Sequence, residues 1–384
     1  MPLLHALSGV LGLAALGVAA GYSALTLLAL SIWRLRARST NWRERPPITL
    51  LKPLCGAEPG LYEHLRCFCQ QDYPEYQIVF GMRDATDPAV AVAVRLAAEF
   101  PDLPIDIVIN PAQHGNNCKI SNLINMLDRA RHDLFVMADS DAYVGPDYLG
   151  SVTAPLLDRK VGLVTCAYQG VPTPSIWSRL GAMYINEWYI PSVFVAWLFG
   201  HDGYVSGQTL CIRRATLEAI GGLRATADHL ADDHRLGELV QGLGLRIVLS
   251  PYVVKGEHHE QSYESLTRHE LRWMRTLRVL KPLSFRMIFL SFSFPLALLG
   301  VLLCLWGDVL SMWAWGMFAA TSLVRLVLHF SCRADRPLFS DIWLLPVRDL
   351  LLCWIWYRSF SVSRITWRGT EFDVDPDGSL RRLT

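Results

Sequence analysis

Five aspartates and one basic helix carry the residue types from which group-transfer chemistry can be assembled. Asp84 follows the apolar run YQIVFGM (76–82), Asp139 and Asp141 lie in MADSDAYV (137–144), and Asp232 and Asp233 lie in HLADDHRLG (229–237). Two carboxylates one residue apart at a strand end offer oxygens to Mg²⁺ or Mn²⁺, which complete their shells with substrate phosphates. That arrangement suits a reaction whose leaving group is a nucleotide diphosphate, because the cation neutralises the developing charge. A bare D-x-D is also an ordinary turn; an acidic loop on each side makes this one a candidate site. Asp233 falls in the first turn of a helix, where the dipole favours a carboxylate whatever its role, and Asp232 is placed to be the N-cap. Neighbouring carboxylates raise one another's pKa, which suits a general base. Asp233 is the candidate base and Asp232 its supporting neighbour. In RHELRWMRTLR (268–278), His269, Arg272, Trp273 and Thr276 share one helical face. Arg272 there is suited to a diphosphate and Trp273 to a sugar ring or an acceptor wall, leaving Arg275, Arg278 and Lys281 for lipid headgroups.

The elements that must position these groups are legible as period and composition. ITLLKPL (48–54), YQIVFGM (76–82), IDIVIN (105–110), LFVMAD (134–139), VGLVTCAY (161–168) and LRIVLSPY (245–252) read as strands. Between them, Ile120, Leu123, Ile124 and Leu127 form one apolar helical stripe, and Leu236, Leu239, Val240 and Leu243 another. Alternating strands and helices predict an α/β domain with a mostly parallel, Rossmann-like sheet over residues 46–280. Ligands then bind where loops leave the carboxyl ends of the strands.

The chain has 384 residues, 52% hydrophobic and only 18% charged, so an excess of apolar residues must sit somewhere. With 36 Lys and Arg against 35 Asp and Glu, there is no net basic field for a nucleic-acid partner. Nine cysteines, with Cys67 and Cys69 too close for zinc-ligand spacing, read as reduced and mostly buried thiols. No charge occurs from Leu7 to Trp33, and Arg34, Arg36, Arg38, Arg43 and Arg45 come directly after. This predicts an uncleaved N-terminal transmembrane anchor over 1–40, with the chain beyond it entering the cytoplasm. A membrane block over 285–360 is predicted to hold two spans, Ile288–Trp306 and Val309–Phe330, flanked by Arg278, Lys281, Arg286, Arg333 and Arg336. Arg325 inside the second span is read as snorkelling toward the cytoplasmic face, the alternative being a buried functional pair. Ile342–Phe360, with Pro346, Arg348, Asp349, Arg358 and three tryptophans, reads as an interfacial or re-entrant helix, a third span being the alternative. Residues 361–384 read as a cytoplasmic tail. The aromatic stretch 176–200, with Pro191, reads as an interfacial segment opening the site to a membrane lipid, against a core helix hairpin.

Taken in order, D … D-x-D … D-D … R-W resembles the inverting glycosyltransferases of families 2 and 21, which have a GT-A fold. The likeness is to the ceramide glucosyltransferase branch, and within it to the bacterial hopanoid-biosynthesis glycosyltransferases. It covers nearly the whole chain, including the closing WRGTEFDVDPDGSL (367–380). The resemblance implies that Asp84 contacts the nucleobase and ribose, beside Pro53 of LKPLCG. It implies that Asp139 and Asp141 hold Mg²⁺ or Mn²⁺, with Asp141 the more direct ligand, and that Asp233 is the base. Gln208 in SGQTLCIRR (206–214) lines the sugar and acceptor pocket, Lys119 matches a lysine before the D-x-D, and Arg272 and Trp273 match the closing R-W. His269 stands where the family has Gln or Arg, which puts a diphosphate contact there in question. The implied activity moves N-acetylglucosamine from a UDP-sugar donor to a hopanoid polyol, with glucose transfer to ceramide the alternative. The implied location is a bacterial inner (cytoplasmic) membrane, multi-pass, with the catalytic domain cytoplasmic. A processive polysaccharide synthase would need more spans, and a non-catalytic UDP-sugar-binding scaffold would have lost one of Asp84, Asp141 or Asp233.

Overall fold

A computed structural model describes residues 2–36, 44–201, 203–309, 312–332, 339–361, 364–367, 370–375 and 377–382. Arg38, Arg43, Arg333 and Arg336 therefore lie outside the described residues. The chain divides into two compact units. One comprises Leu35–Tyr168, Gly200–Glu257 and Arg364–Thr384; the other comprises Met1–Arg34, Gln169–Phe199 and His258–Ser363. The predicted 46–280 segment is thus shared, since 169–199 and 258–280 pack with the hydrophobic helices.

The first unit is built on an eight-stranded sheet. Its strands are β1 (Ile48–Pro53), β2 (Tyr76–Met82), β3 (Ile105–Ile109), β4 (Leu134–Met137), β5 (Ala142–Tyr143), β6 (Val161–Pro172), β7 (Leu210–Arg213) and β8 (Arg246–His258), in the spatial order β3-β2-β1-β4-β7-β6-β8-β5. β1, β2, β3 and β4 pair in parallel, as their helical crossovers require. β7 pairs antiparallel with β4 and β6, and β5 antiparallel with β8, so the sheet is mixed. β1 and β2 are buried along their length, which explains their unbroken apolar runs. One face carries Leu50, Phe68, Ile78, Phe80 and Val136; the other carries Leu51, Val79, Leu123, Phe135 and Leu236. The helix Cys118–Met126 buries the predicted Ile120–Leu123 stripe. Within the segment read as a cytoplasmic tail lie β9 (Arg364–Trp367), β10 (Thr370–Val374) and β11 (Leu380–Arg382), an antiparallel meander belonging to this unit.

The second unit is helical. Among the described residues one helix, Pro2–Leu35, is long and apolar enough to cross a membrane. The predicted span at 288–306 is broken: Pro282–Ser291 and Ser293–Trp306 meet at 66°. Pro295 supplies the reason, because it lacks an N–H and its ring collides with the carbonyl four residues back, at Ser291. The second predicted span is the helix Met312–Ser331, whose inner face is polar: Thr321, Arg325 and His329 are buried. Arg325 does not snorkel. It is 8% exposed and bonds Asp349 through Nε and Nη2 at 2.8–3.1 Å and Glu187 through Nη1 at 2.5 Å. Three facing carboxylate oxygens outweigh the pull of the headgroups. The helix Leu344–Ser359 likewise buries Arg348 and Asp349, with Arg348 bonded bidentately to Glu270 at 2.6 and 2.8 Å. Its other face leaves Trp343, Val347, Leu350, Trp354 and Tyr357 exposed.

Residues 176–198 are largely buried within the helical unit, and Phe199 after them is exposed. Ile176–Tyr184 runs through a π-helical turn, Ile185–Tyr189, into Ile190–Leu198, with Leu180, Tyr184, Ile185 and Phe194 buried. The wide turn lets Pro191 sit in a continuous helix without an N–H to offer. Trp33 stacks on Phe194 at 4.7 Å, and the Tyr22 and Ser192 hydroxyls are 2.9 Å apart. The helix Ser293–Trp306 approaches the N-terminal helix backbone to backbone, since a Cβ at Gly300 would lie 2.8 Å from the Gly12 carbonyl. Gly300→Leu is expected to destabilise the protein by about 1–3 kcal/mol through overpacking. A lowered thermal midpoint in detergent is the readout, and an unchanged midpoint counts against this contact.

Candidate active site

The carboxyl ends of β1 and β4 face the loops that carry the acidic groups. Lys119 opens the first turn of Cys118–Met126, where Asn117 caps the helix by accepting from the Lys119 and Ile120 amides at 3.0 and 3.1 Å. The Lys119 ammonium lies 2.5 Å from Asp139 Oδ1 and 3.9 Å from Asp232 Oδ2. A Cβ added at Gly207 would sit 3.0 Å from Lys119 Nζ, 3.5 Å from Asp139 Oδ2 and 3.6 Å from Asp233 Oδ2. Side chains from three separated stretches of sequence therefore meet around one glycine. Gly207 has no side chain to fill that space.

The paired aspartates differ in their partners. Asp233 Oδ2 accepts from the Gly207 N–H at 2.8 Å and Oδ1 from the His234 N–H at 2.7 Å. Asp232 Oδ1 accepts from Asn117 Nδ2 at 3.2 Å, and its Oδ2 has no hydrogen-bond partner among the described residues. The expected N-cap role for Asp232 is not observed: the helix Asp232–Gly242 includes it, and Ala231 occupies the cap position. Burial raises the Asp232 carboxyl to about 6, with Lys119 opposing and Asp233 and Asp139 reinforcing the rise. Burial also raises Asp233, against Lys119 and the two backbone donors. On Lys119 burial acts downward, but Asp139 and Asp232 more than offset it and hold the ammonium charged.

Replacing Lys119 by Met removes the cation that opposes the rise at Asp232. Both carboxyls then titrate at higher pH, so the acid limb of a pH–rate profile is expected to move upward. A limb that stays put or moves down refutes this coupling.

Asp141 of the D-x-D lies beside Gln208. Gln208 Nε2 donates to both Asp141 oxygens at 3.2 and 3.3 Å, while its Oε1 is buried without a hydrogen-bond partner. Among the described residues no group of three or more His, Cys, Asp or Glu side chains is placed to hold a metal ion. The available donors are still hard oxygens, with Gln208 Oε1 and Asp232 Oδ2 unsatisfied beside the D-x-D. This set fits Mg²⁺ or Mn²⁺ with phosphate and water completing the shell, and not a thiophilic ion.

Two residues that carry no clear sequence signal support this floor. Lys52, fully buried, donates from Nζ to the Asp139 carbonyl at 2.5 Å and lies 3.7 Å from the Phe68 ring centre. Burial lowers its pKa to about 8, opposed by Cys67, Asp139 and Asp141. Asp87 accepts from the Gly56 amide at 3.0 Å and the Ala89 amide at 2.8 Å, tying the loop after Pro53 to the loop after β2. Asp84 itself is exposed and accepts from the Thr86 amide and hydroxyl, both at 2.8 Å, which keeps its carboxyl below the ordinary value. Its present bonds are thus within its own turn. Lys52 shows in the sequence only as a lysine inside an apolar strand, and Asp87 carries no signal beyond turn composition.

His269, Arg272 and Trp273 belong to the helical unit, on the helix Tyr263–Leu280. His269 Nδ1 bonds Glu260 at 2.7 Å, and its ring centre is 4.1 Å from that of Trp273, which stacks on Tyr184 at 5.5 Å. Burial lowers the His269 pKa, with Glu260 opposing, so the ring is not a permanent cation in place of the family's Arg. Arg275, expected at the headgroups, is buried at 4% exposure.

Residues 13–380 match the family described as Glycosyl transferase family 21. Ceramide glucosyltransferase 1 of Caenorhabditis elegans is 23% identical over 365 residues, covering 91% of this chain and 76% of the relative. Ceramide glucosyltransferase 3 of the same organism is 24% identical over 254 residues, covering 65% of this chain and 54% of the relative. Among solved structures, a mannosyltransferase from Pyrobaculum calidifontis in complex with GDP-Man and Mn²⁺ has a TM-score of 0.47 at 19% identity, covering 88% of this chain and 99% of that one.

Proposed function

This chain belongs to glycosyl transferase family 21, and on that premise we propose that it transfers one sugar from a UDP-sugar to a hydroxyl of a membrane lipid. The observation that supports this reading is the meeting of Lys119, Asp139 and Asp233 around Gly207, with Asp232 beside Lys119. The named relatives are ceramide glucosyltransferases, so the expected order of acceptors is reversed. Glucose and a ceramide-type lipid lead; N-acetylglucosamine and a hopanoid polyol come second.

The reaction is a single in-line displacement with inversion. Asp233 accepts the proton of the acceptor hydroxyl, the oxygen forms a bond to the anomeric carbon, and the bond to the UDP oxygen breaks with its electrons leaving on the diphosphate. The backbone amides of Gly207 and His234 fix the direction in which Asp233 faces, which is the positioning that such a step depends on. Lys119 supplies a fixed positive charge at the place where the donor's phosphates and the carboxylates compete. A divalent cation held by Asp141 and Asp139 would neutralise charge on the departing diphosphate. The run of arginines that follows the N-terminal helix supports a cytoplasmic catalytic unit.

Expression with labelled UDP-glucose and labelled UDP-N-acetylglucosamine, followed by mass spectrometry of the lipid extract, tests donor and acceptor together. A monohexosyl ceramide-type product is expected. A hexosaminyl hopanoid would replace the leading acceptor with the second one, and a ladder of lengthening products would indicate a processive synthase. No labelled lipid from either donor would overturn the reading.

A further inference from the structure

The last strands of the chain belong with the carboxylates, although a long helical segment precedes them. The Leu380 N–H donates to the Asp228 carbonyl at 2.6 Å, and the Leu230 N–H donates to the Gly378 carbonyl at 3.1 Å. His229 and Ser379 form an antiparallel bridge between those two bonds. Residues 228–230 are thus laced onto the meander as a short extra strand. Phe372 and Leu380, 5% and 4% exposed, pack with Leu230 in a small core of their own. Gly378 turns the chain at φ +85°, a conformation that glycine adopts without a steric penalty.

Asn116 joins this lacing to the helix that carries Lys119. Its Nδ2 donates to the Leu380 carbonyl at 3.0 Å and to Asp228 Oδ1 at 2.9 Å, while its backbone N–H donates to the same oxygen at 2.8 Å. The next residue, Asn117, donates to the His229 carbonyl at 3.1 Å and to Asp232 Oδ1 at 3.2 Å. The two loops also touch at Gly115, where a Cβ would lie 2.5 Å from the Ala227 carbonyl.

From this geometry we propose that the C-terminal strands, acting through Leu380 and Asn116, are a positioning device that holds the 228–231 loop and so sets Asp232 and Asp233 against Lys119. The inference rests on the reading of those carboxylates as catalytic. Residues 228–231 lie in no helix or strand of the main sheet, and such loops open at low cost unless other groups tie them down. The meander supplies that tie with backbone bonds to 228–230, and the Asn116 side chain carries it on to the helix of Lys119.

The test uses the full-length protein in detergent, a deletion of residues 364–384, and Asn116→Ala. Both variants are expected to lose kcat, by about 100-fold for the deletion, since small misplacement of reacting groups is costly. KM for the UDP-sugar should stay within about threefold, the signature of a contact felt in the transition state and not in donor binding. Hydrogen exchange provides a readout that does not depend on activity: amides of 226–234 should exchange faster in both variants while those of β4 stay protected. If the deletion does not fold, Asn116→Ala decides by the same two readouts. Unchanged kcat in a folded variant, or unchanged exchange over 226–234, overturns the proposal. Absence of sugar transfer by the wild-type protein would remove the proposed function instead, and the exchange result would still decide the positioning role.

Discussion

Asp233→Asn is expected to lower transfer by about 10³-fold or more while leaving UDP binding nearly intact, because an amide cannot take the acceptor proton. The geometry makes this a sharp test. Asn at position 233 keeps an oxygen for one backbone donor, so the loop and the donor pocket should survive the change. Asp232→Asn should cost less, about 10–100-fold, as expected for a neighbour that tunes a base and does not replace it. The open Oδ2 of Asp232 and its carboxyl raised to about 6 make the comparison informative. If Asp232→Asn is the more damaging change, the proton goes to Asp232 and Asp233 is its anchor. The sign of the pH effect comes from the same burial. A base must be ionised, and burial raises both carboxyls, so activity should fall as pH drops at a point above the ordinary carboxyl range near 4, with Asp232 itself at about 6. The two carboxylates interact, so the limb belongs to the pair. An acid limb within or below the ordinary carboxyl range near 4 would count against the buried pair as the essential base.

The catalytic sheet was legible where burial and period agree. β1, β2, β3 and β4 are short apolar runs, and the stripes that cover them have helical spacing. β7 escaped because LCIR is four residues long and ends on arginine, so its strand character comes from pairing with β4 and β6. β9 to β11 escaped because WRGTEFDVDPDGSL is rich in acidic and turn residues, and Phe372 and Leu380, which are buried, lie far apart in that stretch. The carboxylates could be found from position alone, each following a strand or opening a helix. Asn116, Asn117, Lys52 and Asp87 could not, because their value lies in contacts with residues far away in sequence, and an asparagine before a helix reads only as a cap. In the hydrophobic segments length alone was less informative: Pro295 marks the bend in the run 288–306, and Arg325 and His329 mark the polar inner face of Met312–Ser331.

Arg325→Met is expected to destabilise the helical unit by about 3–5 kcal/mol, the cost of leaving buried carboxylates without their cation. That is a large share of the roughly 5–15 kcal/mol by which folded proteins exceed their unfolded states. Asp349 and Glu187 are 6% and 4% exposed, and Glu187 is also bonded by His329 Nδ1 at 2.8 Å. The size of the loss separates two physical pictures. A snorkelling arginine contributes mostly its aliphatic stem, which Met reproduces, so the change would then be nearly neutral. A buried arginine bonded to two carboxylates has no such substitute. The triple variant Arg325→Met, Glu187→Gln, Asp349→Asn removes both charges that the single change strands. Most of the lost thermal stability in detergent should return in that variant, because exchanging a whole buried ion cluster for neutral groups is often close to neutral. If the triple variant is no more stable than Arg325→Met, the loss comes from packing around the guanidinium and not from unpaired charge. Either way the cluster ties Glu187, held in the π-helical turn, to two other helices of the unit, which an apolar contact of the same area would do without fixing their register.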